Sequence, residues 1–246
     1  IRVEQHFANH NGGGMAFNPV AAPGDTDFGL LYVGLADGGS RDDLSNNAQN
    51  LGSVFGKILR IDPLGSNSAN GQYGIPASNP FVSDGDAGTL GEIYAYGVRN
   101  PQRFGWEPQN GNLCLADIGQ NIVGELTLVP AGGNRGWNMW EGSFGYIDRS
   151  GVRLTNQRGD PGVTYPVVEY GQLDPLLQSQ SAAAGLQVYR AGAIPQLANL
   201  VLFADQPSGE IFYIQADDLP NGGQDAIRRI LLNDAGQAKT LLQLIQ

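Results

Sequence analysis

Glycine and proline interrupt this chain so often that long helices have no room to form. Among 246 residues there are 36 glycines and 14 prolines, and Gly-Gly, Asn-Gly, Asp-Gly and Pro-Gly steps recur along the length. Each step is a turn signal, because glycine reaches positive φ without steric cost and proline withholds an amide from any ladder. Between the turns lie short apolar runs, and that alternation predicts many short strands. Gly12-Gly-Gly-Met-Ala-Phe17 leads through a Pro- and Asp-rich insertion to Leu30-Leu-Tyr-Val-Gly34 and Asp37-Gly-Gly39. Gly56-Lys-Ile-Leu-Arg-Ile-Asp62 alternates apolar and polar residues, as a half-buried strand does. Further strands are predicted at residues 92–96, 104–106, 113–116, 125–129, 187–189, 200–205, 210–214, 227–232 and 240–244. Helix is expected only in short pieces such as residues 46–54, and residues 149–177 read as a loop crossing one face.

The order of strand, Asp-Gly, strand and long loop returns about every 40–50 residues, near the length of a propeller blade. The predicted fold is therefore all-β, and a β-propeller of four-stranded antiparallel blades is favoured over a sandwich. With 41% hydrophobic residues the glycine excess is turn chemistry rather than disorder.

The formal net charge of −10 comes from 24 acidic and 14 basic residues with no Lys/Arg cluster. Nothing there could displace counterions from phosphates, so nucleic acid is not an expected partner. No run approaches the ~20 apolar residues of a membrane span. The single cysteine, Cys114, lies in the apolar run Leu113-Cys-Leu-Ala116 and reads as a small core residue with no partner in the chain for a disulfide. The chain starts at Ile1 without a signal-peptide pattern, and reads as a processed or truncated piece of a longer one.

Five places carry candidate chemistry. In Glu92-Ile-Tyr-Ala-Tyr-Gly-Val-Arg-Asn-Pro101 a strand delivers Arg99 and Asn100 to a loop, with Pro101 expected to stop further pairing. A guanidinium beside an amide suits a planar anion, since Arg takes a carboxylate in two parallel bonds; the alternative is a loop Arg capping carbonyls. His10, followed by Asn11 and three glycines, is a general base if a ligand approaches that loop, and otherwise a surface histidine. Asp37 could orient such an imidazole, or simply form a hairpin turn. Asp117-Ile-Gly-Gln-Asn121 with Glu125 offers carbonyls and carboxylates of the kind Ca²⁺ prefers, without the spacing of an EF-hand. Arg190 ends a strand as a second cation, or is solvated. No Gly-x-Gly-x-x-Gly after a strand, P-loop, Gly-x-Ser-x-Gly elbow or zinc-type His/Cys spacing occurs, so nucleotide, serine-hydrolase and zinc readings lack support.

Taken in order, several blocks resemble the soluble pyrroloquinoline-quinone-dependent sugar dehydrogenases, the glucose/sorbosone dehydrogenase family. They are His10-Asn-Gly-Gly, Leu31-Tyr-Val-Gly with Asp37-Gly-Gly, Gly56-Lys-Ile-Leu-Arg-Ile-Asp62, Ile75-Pro with Asn79-Pro-Phe81, Glu92 to Pro101, Ala116-Asp-Ile-Gly-Gln120, Gly133-Asn with Gly136-Trp and Glu141-Gly, Val188-Tyr-Arg190, and Phe203-Ala-Asp with Ser208-Gly. The Asp-Ile-Gly-Gln form also resembles the propeller domain of hedgehog-interacting proteins, a non-enzymatic branch.

The resemblance implies a six-bladed propeller of which residues 1–246 hold a single domain, incomplete at both ends. Residues outside this sequence, or another chain, would complete the ring. It implies a periplasmic or secreted quinoprotein that oxidises the anomeric carbon of an aldose to a lactone and passes electrons to an external acceptor. His10 matches the base and Asp37 the carboxylate that orients it. Arg99, Asn100 and Arg190 match groups that hold the quinone, and Gly119 and Gln120 the turn whose main-chain carbonyls bind Ca²⁺. These residues are expected on one face. Ile118, Gly124, Arg135, Ala184-Gly185 and the Arg-free Pro207-Ser-Gly-Glu210 depart from the family pattern. The alternative function is a catalytically silent propeller module that recognises a glycan or a protein.

Overall fold

The computed structural model describes residues 3–174 and 181–245. Three four-stranded antiparallel sheets form its body, and in each the strands pair in chain order, the second with one interruption. The first contains β1 (Met15–Phe17), β2 (Leu31–Leu35), β3 (Lys57–Ile61) and β4 (Ile93–Tyr96), with Phe17 opposite Leu31 and Leu31 opposite Ile61. The second contains β5 (Pro101–Trp106), β6 (Leu113–Asp117), β7 (Val123–Leu128) and, after an excursion, β11 (Val168–Gly171). That excursion is a small sheet of β8 (Trp140–Glu141), β9 (Phe144–Asp148) and β10 (Gly151–Arg153). The third contains β12 (Ala183–Tyr189), β13 (Leu200–Asp205), β14 (Ile211–Gln215) and β15 (Arg228–Arg229). A hairpin of β16 (Leu232–Asp234) and β17 (Gln237–Lys239) and one helical turn, α1 (Leu241–Ile245), follow.

The core lies between sheets. Tyr32, Ile58 and Ala95 of the first sheet pack against Trp106, Leu113 and Leu115 of the second. Leu126 and Val168 of the second pack against Val201, Phe203 and Phe212 of the third. Sheets stacked in series, each burying a face on the next, are how propeller blades pack. No helix among the described residues is long and apolar enough to cross a membrane.

Five local expectations need correction. β3 is buried at every position rather than on one face. Lys57 donates its ammonium to the carbonyls of Asn47 (2.8 Å), Ala48 (3.0 Å) and Phe55 (2.7 Å). Arg60 packs over the rings of Tyr32 and Tyr94 and bonds Asp27, Ser78 and Asn79. Residues 46–54 form turns instead of helix: Lys57 bonds two of their carbonyls, and the Gly52 amide goes to the Asn50 side chain rather than to a helical carbonyl. Residues 240–244 are not a strand, because Thr240 and Gln243 cap each other reciprocally and start α1. Pro101 does not end pairing; it is the first residue of β5, a position a strand tolerates. Within residues 149–177, β10 and β11 are present, and residues 175–177 lie outside the described residues.

Each sheet carries an aspartate at or just past the end of its second strand: Asp37, Asp117 and Asp205, all preceded by alanine. Asp117 accepts from the amides of Arg99 (2.9 Å) and Asn100 (2.6 Å), which lead into β5. Asp205 accepts from the amide of Ala182 (2.7 Å), which leads into β12. Asp37 accepts from the imidazole of His10, in the segment that leads into β1. The three carboxylates thus tie the start of each first strand to the end of each second strand, and they mark one end of the blades.

Candidate functional site

At that end the loops before β1 and β5 meet. Gly13 permits it, since a Cβ there would lie 2.0 Å from the carbonyl oxygen of Pro101. His10 adopts φ of 54°, and its Nδ1 lies 2.7 Å from Oδ1 of Asp37. With Asp37 as the acceptor Nδ1 carries a proton, and in the neutral imidazole Nε2 keeps its lone pair. The other oxygen of Asp37 accepts from the indole Nε1 of Trp137 at 3.0 Å, and the Asp37 amide donates to the carbonyl of Arg99 at 2.9 Å. The side chain of Asp37 is 2% exposed, so the imidazole faces a carboxylate fixed on every side.

Arg99 lies beneath this trio, its guanidinium carbon 5.6 Å from the centre of the Trp137 ring. Nη1 donates to the carbonyls of Ile118 and Gly119, both at 2.8 Å. Among the described residues Nε has no partner though it is buried, and Nη2 makes no hydrogen bond. Burial lowers the pKa of Arg99, while Asp37, Asp117 and Glu141 oppose that shift. The Nε/Nη2 edge is the one that takes a carboxylate in two parallel bonds, so Arg99 fits an acidic ligand group. Asn100 turns its carbonyl to Gln102 at 2.8 Å.

Glu141 accepts from the consecutive amides of Asn121, Ile122 and Val123 at 3.1–3.2 Å and so shapes the turn after β6. The Gly119 carbonyl also accepts from the side-chain amide of Gln172 at 3.0 Å. The Gln120 side chain accepts from the amide of Asp42 at 3.1 Å. Calcium does not fit at Gly119 in this arrangement, because both lone pairs of its carbonyl are engaged and one donor is cationic. Two unit charges about 4 Å apart repel by about 4 kcal/mol at an effective dielectric of about 20, and a divalent ion doubles that before nearby carboxylates offset it.

Arg190 stands apart. It pairs with Glu107 (2.8 Å) and Asp217 (2.5 Å) beyond the C-terminal end of β5. Arg99 precedes the N-terminal end of that six-residue strand, roughly 20 Å away at the rise of a β-strand. The expectation that Arg190 joins the other residues on one face is therefore corrected. His10, Asp37, Arg99, Asn100, Gly119 and Gln120 are brought to one end.

Below Arg99 a cavity of about 10 Å³ is lined by Asp117, Glu125, Arg135 and Glu141. Burial raises the pKa of Glu125, and Asp117, Glu169 and Glu141 add to this against the pull of Arg135. Asp117 is raised by burial too, against the amides and charge of Arg99. Two departures from the expected pattern are explained here. Arg135 is the counter-charge to buried Glu125, and a Cβ at Gly124 would meet the Tyr170 ring at 2.9 Å.

A model of the glucose/sorbosone dehydrogenase family matches residues 2–236. The chain belongs to the glucose/sorbosone dehydrogenase family. It is 32% identical over 209 residues to the HIPL2 protein of Arabidopsis thaliana, covering 81% of this chain and 28% of that one. It is 27% identical over 190 residues to the aldose sugar dehydrogenase YliI of Escherichia coli, covering 76% of this chain and 43% of that one. The PQQ-bound form of aldose sugar dehydrogenase from Streptomyces coelicolor superposes with a TM-score of 0.57 at 24% identity, over 95% of this chain and 49% of that one. The chain thus spans less than half the length of these relatives, and its fold is part of their β-propeller.

Sequence reasoning missed Trp137 as the third partner of the His10–Asp37 pair, and missed Glu141 and Gln172 as supports of the Gly119 turn. The Gly-Trp and Glu-Gly steps of this family member were visible, but their hydrogen bonds span long stretches of chain that no spacing rule connects.

Proposed function

We propose that this chain carries part of the active-site face of a quinoprotein oxidoreductase that oxidises the anomeric carbon of an aldose to a lactone. The observation that carries the reading is the His10–Asp37 bond, with Asp37 held in turn by Trp137. His10 takes the proton of the anomeric hydroxyl on Nε2, and Asp37 stabilises the imidazolium that results. Arg99 holds an acidic group of the cofactor on its Nε/Nη2 edge, beside Asn100. Pyrroloquinoline quinone, when bound, supplies the two-electron acceptor for the hydride that leaves the same carbon. Loss of that proton and that hydride balances the conversion of hemiacetal to lactone. The reading takes the protein as a single β-propeller domain, periplasmic or secreted, with an external electron acceptor. Calcium at Gly119 and Gln120 is not part of it.

A second reading is a propeller module that binds a glycan or a protein without catalysis. The clasp of Arg99 on the Ile118 and Gly119 carbonyls favours it, because that clasp commits part of the guanidinium to the fold. Adding the quinone to apoprotein and following its bound absorption, then dye reduction with a panel of aldoses, separates the two. Quinone binding with aldose-dependent reduction is expected; no binding at micromolar quinone would leave the module reading.

A further inference from the structure

We infer that the guanidinium of Arg99 is the resident cation of the Ile118–Gly119 carbonyl pair, so that this turn takes up no calcium while Arg99 is in place. The inference concerns the turn itself, and it stands whether or not the quinone reading does. Backbone carbonyls and carboxylates are the ligands a calcium ion would recruit here, six to eight of them at about 2.3–2.6 Å. The turn has already committed them. Nη1 of Arg99 bridges the two carbonyls at 2.8 Å each. Gln172 fills the second lone pair of Gly119 at 3.0 Å.

Two of the nearby carboxylates are spent in the same way, and a third, Glu125, is biased by burial towards its neutral form and faces Arg135. Asp117 gives one oxygen to the amide of Arg99 and the other to that of Asn100. Oε1 of Glu141 serves three amides of the same turn. Only Oε2 of Glu141 is buried without a partner at this turn among the described residues, and one oxygen does not make a calcium site. No group of three or more His, Cys, Asp or Glu side chains able to hold a metal occurs among the described residues. Asp37, Asp117 and Glu141 already act electrostatically on Arg99, so the negative charge that would draw in a divalent ion is answered by the guanidinium.

The arrangement also leaves Arg99 usable. The edge with Nε and Nη2 makes no bond to the fold, so one guanidinium closes the turn on one side and offers a fork to an acidic ligand on the other. Such a ligand would need no metal to meet a positive charge here.

Calcium itself, titrated into chelator-stripped protein, is the probe, followed by calorimetry and by terbium luminescence sensitised through Trp137, whose ring is 5.6 Å from the guanidinium carbon. The wild-type chain is expected to give neither signal below millimolar ion. Arg99→Ala frees the carbonyl pair and should bind calcium at least about tenfold more tightly than wild type. Arg99→Lys keeps a cationic donor and should remain blind. Arg99→Gln, which retains a neutral donor on a shorter side chain, replaces Arg99→Ala if thermal melts show that the alanine variant does not fold, and it too should gain calcium binding. Micromolar calcium binding by the wild-type chain would overturn the inference, as would a folded Arg99→Ala or Arg99→Gln that binds no better than wild type. Quinone binding measured with and without chelator gives an independent reading. A quinone that binds equally in both supports the inference, and one that binds only with calcium overturns it. A quinone that binds in neither removes the enzyme reading and leaves the calcium titrations to decide.

Discussion

Trp137 donates its indole proton to Asp37 across 100 residues of sequence, at 3.0 Å and out of contact with water. That bond occupies the carboxylate oxygen His10 does not use, so the orientation of the imidazole depends on a residue in the turn before β8. Trp137→Phe keeps an aromatic ring in place and removes the donor together with some buried ring volume. A buried charged acceptor left short of a partner costs about 1–3 kcal/mol. Chemical denaturation should register a loss of that size, and an unchanged midpoint would mean that Asp37 finds a replacement donor.

Under the quinoprotein reading His10 and Arg99 fail in different ways. A base within reach of the reacting hydroxyl contributes about 10²–10⁴-fold to rate. His10→Ala should lower kcat by that order and leave quinone binding nearly intact. Arg99→Ala should weaken quinone retention first, by a few kcal/mol for a desolvated charge pair. Assaying bound quinone and dye reduction separately on each variant resolves the two roles, and an unchanged turnover in His10→Ala would remove the base assignment.

The strands were legible because turn residues bracket apolar runs, and the boundaries of β13 agree with the sequence expectation residue for residue. What the runs could not reveal was direction. Arg190 follows a strand, as Asp37 and Asp117 do, but β12 is the first strand of its sheet. Its start is the end tied down by Asp205, so the residue after it emerges at the far end of the blade. The repeat that would have given this away, Ala36-Asp37, Ala116-Asp117 and Ala204-Asp205, is only two residues long and lies in otherwise divergent surroundings. Lys57 was misread for a related reason. A charged residue in an alternating run signals a solvated face, unless loop carbonyls elsewhere are short of donors, and only the folded chain displays those. The capping pair Thr240 and Gln243, by contrast, had a known spacing and was there to be read.

The buried Glu125 sets a pH dependence. Its folded pKa lies above the ordinary value of 4.5, at about 8, chiefly through burial. Between those values the folded chain binds more protons than the unfolded one. The stabilisation is therefore complete below about pH 4.5 and is lost as pH rises towards 8. Glu125→Gln resembles the protonated acid in shape and charge and cannot ionise. It should melt close to wild type near pH 5 and above it near pH 8, with a shallower slope between. Asp117, raised in the same sense, keeps that slope from vanishing. Parallel melting curves for the two proteins across this range would show that Glu125 is ionised in the folded chain.

Two glycine substitutions should move stability in opposite directions, and the contrast tests the packing of the turn after β6. At Gly119 an added Cβ would lie 1.8 Å from the carbonyl oxygen of Val123 and 2.5 Å from Oε1 of Glu141. Neither neighbour can yield cheaply. Val123 O belongs to the backbone of β7, and Glu141 is held by three amides of the turn itself. Gly119→Ala should cost about 1–3 kcal/mol, the usual range for overpacking a fixed site, and should loosen the clasp of Arg99 with it. At Gly185, within β12, the added Cβ would meet the side chain of Ala204 at 3.5 Å, an ordinary contact. There the variant loses only the backbone entropy of glycine in the unfolded chain, and Gly185→Ala should gain about 0.5–1 kcal/mol. Urea denaturation of both variants beside wild type measures the difference. A Gly119→Ala protein as stable as Gly185→Ala would mean that the turn has room to move, and that the close approach of residues 119 and 123 is not what holds it.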